Sequence, residues 1–412
     1  MNELEVIKSI PVFELDTLMV LTLGTLSFFL GLAIKARFVI LQKLSFPVPY
    51  LGGLPVALLC WFLQEAHIVE IIFAPEVAQI SLKFFMCCLA LFGSWNLLKT
   101  SIFFVVVFWI LATFLSILQS SLGIVLSSIF DLDPAYGILV GAISLMGGFE
   151  TYTNFIDTFS ILGITNAEEI ALGTKTFGVL AALTLGAPMG EYLIHRYRLH
   201  VAEYPESNNR LLEIFLSEHP KPFYQYLSKE VLKIVALVGL SVLLGDLITK
   251  FLSEWMVFPS YVVGMIVAIL FRLYFDAKTS CFIEGVALRT MTKAALTLVI
   301  VTNTCALPLK SLTYLNWEIY FILFLQLILN LFFAWFAYFK LLGRNYETMM
   351  LAIGGIGFSI GITPNGLSNM QSLCEKYGPC MRIIFIVAVV GVILISITNM
   401  LIVDWMLSFF IS

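Results

Sequence analysis

Between residues 348 and 371 an apolar segment is broken at its centre by Gly354, Gly355, Gly357, Ser359, Gly361, Thr363, Pro364, Asn365, Gly366, Ser368 and Asn369. That pattern predicts a helix that stops halfway and turns back. The flanks are long apolar runs, so the break falls at membrane depth, where freed backbone carbonyls and amides are tolerated only if they line a cavity or bind something. The break is therefore a candidate binding site, and the rest of the chain has to be arranged around it.

A second break lies near 135–159. Leu139, Gly141, Ser144, Gly147, Gly148, Thr151, Thr153 and Asn154 answer Leu351, Ile353, Ile356, Ser359, Ile360, Thr363, Asn365 and Gly366 at an offset of about 212. Near the start of each half, Tyr50, Gly53, Val56, Ala57 and Leu59 align with Tyr261, Gly264, Val267, Ala268 and Leu270 at a constant offset of 211. Coincidence of composition is the competing account of so short a match, but the order of features agrees as well. Paired interruptions at corresponding places in two halves are the sequence mark of a secondary transporter's substrate site.

Apolar stretches of about 20 residues, enough to cross roughly 30 Å of hydrocarbon, fall near 15–34, 48–64, 80–98, 102–129 and 170–195. Five more fall near 231–252, 259–275, 284–307, 316–342 and 381–410. The expected fold is an all-α polytopic membrane protein of ten spans in two five-span repeats, each with a re-entrant broken hairpin. Five is odd, so the second copy enters the bilayer from the other side and the repeats are inverted. Each hairpin limb is expected to hold about 10 residues, roughly 15 Å of helix, so that the two tips meet near the midplane. The expected organisation is an N-terminal membrane repeat over 1–195, a linker over 196–230 and a C-terminal membrane repeat over 231–412.

Composition agrees with this reading. Hydrophobic residues make up 60% of the 412 and charged residues 12%, against soluble averages of about 45–50% and about 25%. The net charge of −4 and the lack of a basic aromatic patch argue against nucleic acid as a partner. Seven cysteines without metal-ligand spacing read as small core residues. Met1 to Asp16 lacks a basic leader region, so the first apolar segment is expected to be a retained span. His67, His195, His200 and His219 fall in loops or at span ends, away from any buried carboxylate or thiol, so an enzyme is not expected. Lys and Arg concentrate in the segments facing inward when the N-terminus is outside. The positive-inside rule then puts both termini outside and the 196–230 linker in the cytoplasm.

A half-helix that starts near the midplane offers free N–H groups and a positive dipole end, which suits a carboxylate or other small anion. Its partner limb ends in free carbonyls, hard oxygen ligands of the kind that hold Na⁺ at discontinuous helices. Gly147, Gly148, Glu150 and Thr151 in the first break and Thr363, Pro364, Asn365 and Gly366 in the second are the candidate substrate residues. Asn154, Asp157, Ser359 and Asn369 are the candidate cation ligands, and Asp157 and Asn369 alternatively cap the second limbs. Gly147, Gly148, Gly361 and Gly366 are expected to use the φ > 0 freedom of glycine, whereas Gly24, Gly31, Gly239 and Gly245 read as helix-packing glycines. Glu150 is an intramembrane carboxylate, costly by several kcal/mol and so expected to mark function or to have a partner.

Asn345 and Tyr346, then Gly357, Phe358, Gly361, Thr363, Pro364, Asn369, Met370 and Gln371, followed by Tyr377, Gly378 and Pro379, resemble the C-terminal signature of the bacterial sodium/glutamate symporters. Leu15, Asp16 and Thr17, the run from Asp131 to Pro134, Gly141, Gly147 and Gly148, and the stretch Thr165, Asn166, Ala167, Glu169, Thr176, Phe177 and Gly178 resemble it too. The resemblance implies an inner-membrane homodimer that moves a transport unit against a dimer scaffold, an elevator. It also implies sodium-driven uptake of glutamate, with Na⁺ as coupling ion and no cofactor. The first break departs from the family's Gly-Gly-His-Gly-Thr, because Gly147 and Gly148 are followed here by Phe149, Glu150, Thr151, Tyr152 and Thr153. Lys175 stands where the family has a small residue, so Glu150 and Lys175 are expected to form a compensating charge pair. A free Glu150 facing water would instead favour a neutral or cationic amino acid. A channel or a non-transporting sensor on the same scaffold is the remaining alternative.

Overall fold

The computed structural model describes residues 10–93, 95–146, 152–164, 166–201, 229–252, 259–278 and 285–411. The chain opens with β1 (Val12–Leu15), after which the Asp16 carboxylate accepts from Met19 N at 2.8 Å and caps α1 (Thr17–Arg37). It continues through α2 (Val39–Lys43), α3 (Val48–Glu65), β2 (Glu70–Phe73), α4 (Glu76–Ala90) and α5 (Trp95–Ile129). Then come α6 (Pro134–Ile143), α7 (Ile156–Ile161) and α8 (Ala167–Tyr197). The second half holds α9 (Lys229–Leu252), α10 (Ser260–Lys278), α11 (Gly285–Cys305), a 3₁₀ segment at Leu309–Tyr314 and α12 (Trp317–Lys340). It ends with α13 (Tyr346–Ile360), α14 (Thr363–Tyr377) and α15 (Met381–Phe409).

Among the described residues, eight helices are long and apolar enough to cross a membrane: α1, α5, α8, α9, α10, α11, α12 and α15. The chain is thus a multi-pass membrane protein. At the other two expected spans the chain forms α3 and α4, of 18 and 15 residues. The expected third span, 80–98, is shortened: α4 stops at Ala90, the chain turns, and α5 starts at Trp95. The fold is all-helical as expected, apart from one short strand pair: β1 and β2 run in parallel from Val12 with Glu70 to Leu15 with Phe73. Both are four-residue segments at the ends of helices, where the backbone groups of the connections have no helical partner and satisfy one another instead.

Two bodies of helices result. In one, α1, α3, α4, α9, α10 and α11 pack mainly on each other; in the other, α5, α6, α8 and α12 to α15 surround the two broken segments. Small residues set the spacing inside the first body: a Cβ on Gly52 of α3 would fall 1.8 Å from the Ser27 carbonyl of α1. Gly24, Gly31 and Gly245 are packed in the same way, but Gly239 has no neighbour within 4 Å and is not a packing glycine. The bodies touch where α11 meets α14 and where the 3₁₀ segment lies on α8. Within the second body α6, α12 and α15 each contain a π-helical stretch, at Leu139–Ile143, Ala334–Lys340 and Val389–Leu394. Such stretches leave the regular hydrogen-bond ladder and are frequent at functional sites.

Candidate functional site

The second break is a hairpin of α13 and α14. Asn345 Oδ1 accepts from Thr348 N at 2.9 Å while Thr348 Oγ1 accepts from Asn345 N at 3.0 Å, a capping box that fixes where the first limb starts. The limbs cross on glycine: a Cβ on Gly357 would sit 1.9 Å from Gly366 Cα, and one on Gly366 would sit 2.5 Å from the Gly354 carbonyl oxygen. At the tip Gly361 leaves helical geometry with φ −127° and ψ −128°. Pro364 sits in the first turn of α14, where its missing N–H costs nothing. Both limbs have 15 residues, longer than expected, because the small residues are absorbed inside helices and the turn itself takes only Gly361 and Ile362. For the same reason Gly361 and Gly366 do not use positive φ; close packing is what requires glycine at Gly366.

Thr363, Pro364, Asn365, Gly366 and Asn369 are all buried. Asn369 does not cap α14, whose N-cap is Ile362; it lies mid-helix and its Nδ2 donates to Ala182 O of α8 at 2.8 Å. Ser359, 1% exposed, lies at the end of α13 and its carbonyl accepts from Gln119 Nε2 at 2.9 Å.

The first break is held by the same means. Asp133 accepts from Ala135 N at 2.8 Å and starts α6. Gly137 crosses Gly123 of α5, where a Cβ on Gly123 would lie 2.1 Å from the Gly137 carbonyl oxygen. Gly141 then departs from helical backbone, with φ −86° and ψ −140°. The candidate residues Gly147, Gly148, Glu150 and Thr151 lie outside the described residues. Asn154 and Asp157, on the returning limb, are exposed. They do not share the buried environment of Ser359 and Asn369.

Lys175 joins the two breaks. It lies on α8, 0% exposed, and its Nζ donates to Gly361 O at 2.5 Å and to Leu145 O at 3.1 Å. Gly178, one turn on, makes this possible: a Cβ there would fall 1.8 Å from the Ile360 carbonyl oxygen, so only glycine lets α8 come this close to the hairpin tip.

Beside the junction is a cavity of about 400 Å³. It is walled by the second hairpin's tip (Ile362, Thr363, Pro364), by Met146 of the first break, by Gln79 of α4, by Thr302 and Asn303 of α11, and by Gly391 and Ser396 of α15. The wall thus takes residues from both bodies of helices. Val20, Pro75 and Tyr261, near the starts of α1, α4 and α10, also line the cavity. Gly391 lies in the π stretch of α15 and faces the tip directly, since a Cβ on it would meet Thr363 Oγ1 at 2.9 Å. No charged side chain lines the cavity among the described residues, and Ile362, the N-cap of α14, makes no side-chain cap bond, which leaves the helix's positive end open there.

Sequence reasoning missed a buried amide cluster between α5 and α12. Gln326 Nε2 donates to Gln119 O at 2.6 Å and Asn330 Nδ2 to Gln326 O at 2.8 Å. Gln119 Oε1, Gln326 Oε1 and Asn330 Oδ1 are buried with no partner among the described residues. The repeat held the signal, because Asn330 follows Gln119 at the same offset of 211 that relates Tyr50 to Tyr261. A second oversight concerns His195, which does sit beside a buried carboxylate: its Nε2 is 3.4 Å from Glu191 Oε2, and Glu191 is 3% exposed. The two are one helical turn apart on α8, a spacing that the sequence displays.

Two broken helices drawn together on a buried ammonium, beside a cavity shared by two helical bodies, define a multi-pass membrane carrier. The chain belongs to the sodium/glutamate symporter family, whose model matches residues 13–379. It is similar to the sodium/glutamate symporters of Escherichia coli (strain K12) and Shigella flexneri, each 28% identical over 393 residues, covering 95% of this chain and 97% of theirs. The sodium/glutamate symporter of Haemophilus influenzae is 27% identical over 401 residues, covering 94% of this chain and 96% of its own. The family is one of transporters, which is not an enzyme class.

Proposed function

We propose that the protein is a sodium-coupled symporter of L-glutamate or a related small anion. Family membership over most of the chain, together with relatives named for sodium and glutamate, supports this reading. The observation that carries it is the N-terminus of α14 at Thr363, which has no side-chain cap and lines the cavity, its positive dipole end suited to a substrate carboxylate. Thr363, Pro364, Asn365 and Gly366 serve as one side of the substrate site and Gly147, Gly148, Glu150 and Thr151 as the other. Ser359 and Asn369 remain the better-placed cation ligands of the original four.

The same reading extends to the architecture. Ten spans form two inverted repeats, 1–195 and 231–412, joined by a cytoplasmic linker at 196–230, with both termini outside an inner membrane. The body of α1, α3, α4, α9, α10 and α11 acts as a homodimer scaffold. The body that carries both hairpins moves against it as an elevator, and the cavity between them is the substrate's way in.

Purified protein in liposomes tests the function. An inward sodium gradient is expected to drive glutamate accumulation that collapses when the gradient is dissipated; uptake that ignores sodium, or no uptake, counts against it. One observation favours a second reading, a neutral substrate: the described cavity wall holds no cationic side chain. Competition by uncharged amino acids as effective as glutamate would support it. Glu150 and Lys175 are proposed as a charge pair, for which removing one partner of a buried pair costs about 3–5 kcal/mol. Neutralising both is then expected to be better tolerated than neutralising either.

A further inference from the structure

We infer that the Lys175 ammonium is a built-in cation occupying the position of a coupling sodium, so that this carrier runs with one sodium fewer than the same protein lacking the ammonium. The inference rests on the symport reading above. Its basis is the geometry of the junction. Gly361 is the C-cap of α13 and Leu145 ends the first limb of the other break, so the two carbonyls that receive Nζ, at 2.5 and 3.1 Å, close two separate half-helices. The Gly361 carbonyl at the end of α13 and the Leu145 carbonyl, one turn past the kink at Gly141, are thus directed at one point. Unwound carbonyls at half-helix C-termini are the groups that coordinate a coupling cation in broken-helix carriers.

Lys175 reaches this point from α8. It is 0% exposed, and a buried ammonium is tolerated only when its donors are satisfied. Among the described residues, the Leu145 and Gly361 carbonyls accept from it. Gly178 brings α8 to within van der Waals contact of Ile360 and so sets the length of reach. A sodium ion and an ammonium would each bring a single positive charge to these two carbonyl oxygens, and the two cannot be held there at once.

Two substitutions separate this role from a structural one. Lys175→Ala removes the ammonium and leaves space among the carbonyls, whereas Lys175→Met fills the same space without charge. Thermal unfolding in detergent, in choline and across a sodium titration, reads the result without any substrate. Lys175→Ala is expected to be destabilised in choline and restored by sodium, with a larger sodium-dependent shift than the wild type. Lys175→Met is expected to be destabilised and to gain no sodium response. In liposomes the sodium-to-substrate flux ratio of Lys175→Ala is expected to exceed that of the wild type by one. A Lys175→Ala protein with an unchanged sodium response would overturn the inference. Should that variant fail to fold, a wild-type structure at saturating sodium decides. Nζ retained on the Leu145 and Gly361 carbonyls supports the inference, and a sodium ion bound to them with Lys175 displaced rejects it. A wild type that transports no glutamate with sodium would undo the symport reading alone, since the sodium-dependent unfolding test stands without it.

Discussion

The buried carboxylate of Glu191 on α8 receives the ammonium of Lys376 on α14 at 2.7 Å, at the opposite end of the hairpin from its tip. Tyr377 OH donates to the same carboxylate at 2.5 Å, and Ser45 Oγ donates to it as well. Lys376 also donates to Lys43 O at 3.0 Å, and Ser372 Oγ to Ser45 O at 2.6 Å. Ser45 is held at φ 52°, a left-handed backbone that a serine adopts at some cost. Glu191 therefore fastens α8 and α14 to the turn between α2 and α3, across the boundary between the two bodies.

If that boundary is where the carrier moves, the fastening has to open. Glu191→Gln keeps the shape but removes the charge, and hydrogen bonds to charged groups are worth about 1.5–3 kcal/mol each. A cysteine at position 372 in a cysteine-free background is expected to react faster with a membrane-impermeant maleimide when Glu191→Gln is present. Equal labelling with and without it would show that Glu191 does not hold this face shut.

The hairpin crossing gives a second expectation. At Gly357 and Gly366 an added methyl meets backbone atoms at 1.9 and 2.2 Å or 2.5 Å, and backbone cannot rotate away as a flexible side chain can. Overpacking typically costs about 1–3 kcal/mol and sometimes more. Gly357→Ala and Gly366→Ala are expected to lower the unfolding temperature strongly or to abolish folding. Gly239→Ala meets nothing within 4 Å and is expected to raise stability by roughly 0.5–1 kcal/mol, the helix preference of alanine over glycine. Unfolding temperatures of the three variants in one detergent check the contrast.

How much of this was legible in the sequence depended on the kind of signal. Helix breaks are written in composition, so the run from Gly354 to Asn369 located the hairpin. The limits of its limbs were not, because Gly357 and Gly366 look like breakers in the sequence and act as contact points inside intact helices. Asn369 and Asp157 share a register but not an environment: one packs on Ala182 and the other is exposed. Repeat offset alone says nothing about which face of a limb meets the neighbouring helix. Lys175 was singled out for its charge, yet its two carbonyl acceptors belong to segments 30 and 186 residues away, a convergence that only the fold supplies.

Gly391 tests the cavity. It lines the space beside Thr363, and its π stretch turns the bare Cα toward the hairpin tip. Gly391→Val would place branched bulk against Thr363 Oγ1 and into the cavity. Substrate uptake is expected to fall at least tenfold, while a purified variant retains a cooperative unfolding transition. Uptake at the wild-type rate would show that the substrate does not pass this wall.

The contact between α8 and the hairpin's second limb allows a paired test of packing. A Cβ on Gly186 would lie 2.2 Å from Asn369 Nδ2 and 2.8 Å from its Cγ, but 3.4 Å from its Cβ. Gly186→Ala alone therefore forces the amide off its hydrogen bond to Ala182 O and should destabilise the protein. Asn369→Ala alone loses that bond and leaves a void, each a loss of about 1 kcal/mol or more. In the double variant the new methyl occupies part of the space the amide leaves, at an ordinary contact distance from the remaining Cβ. The two changes are expected to be non-additive, with the double variant more stable than Gly186→Ala by unfolding temperature, since residues in direct contact couple by about 0.5–3 kcal/mol. Strict additivity would mean that α8 and α14 do not meet at this pair. Sodium response adds a further readout. If Asn369 only packs, the double variant keeps it; if its Oδ1, buried and without a partner among the described residues, holds the cation, restored stability will come with a weakened response to sodium.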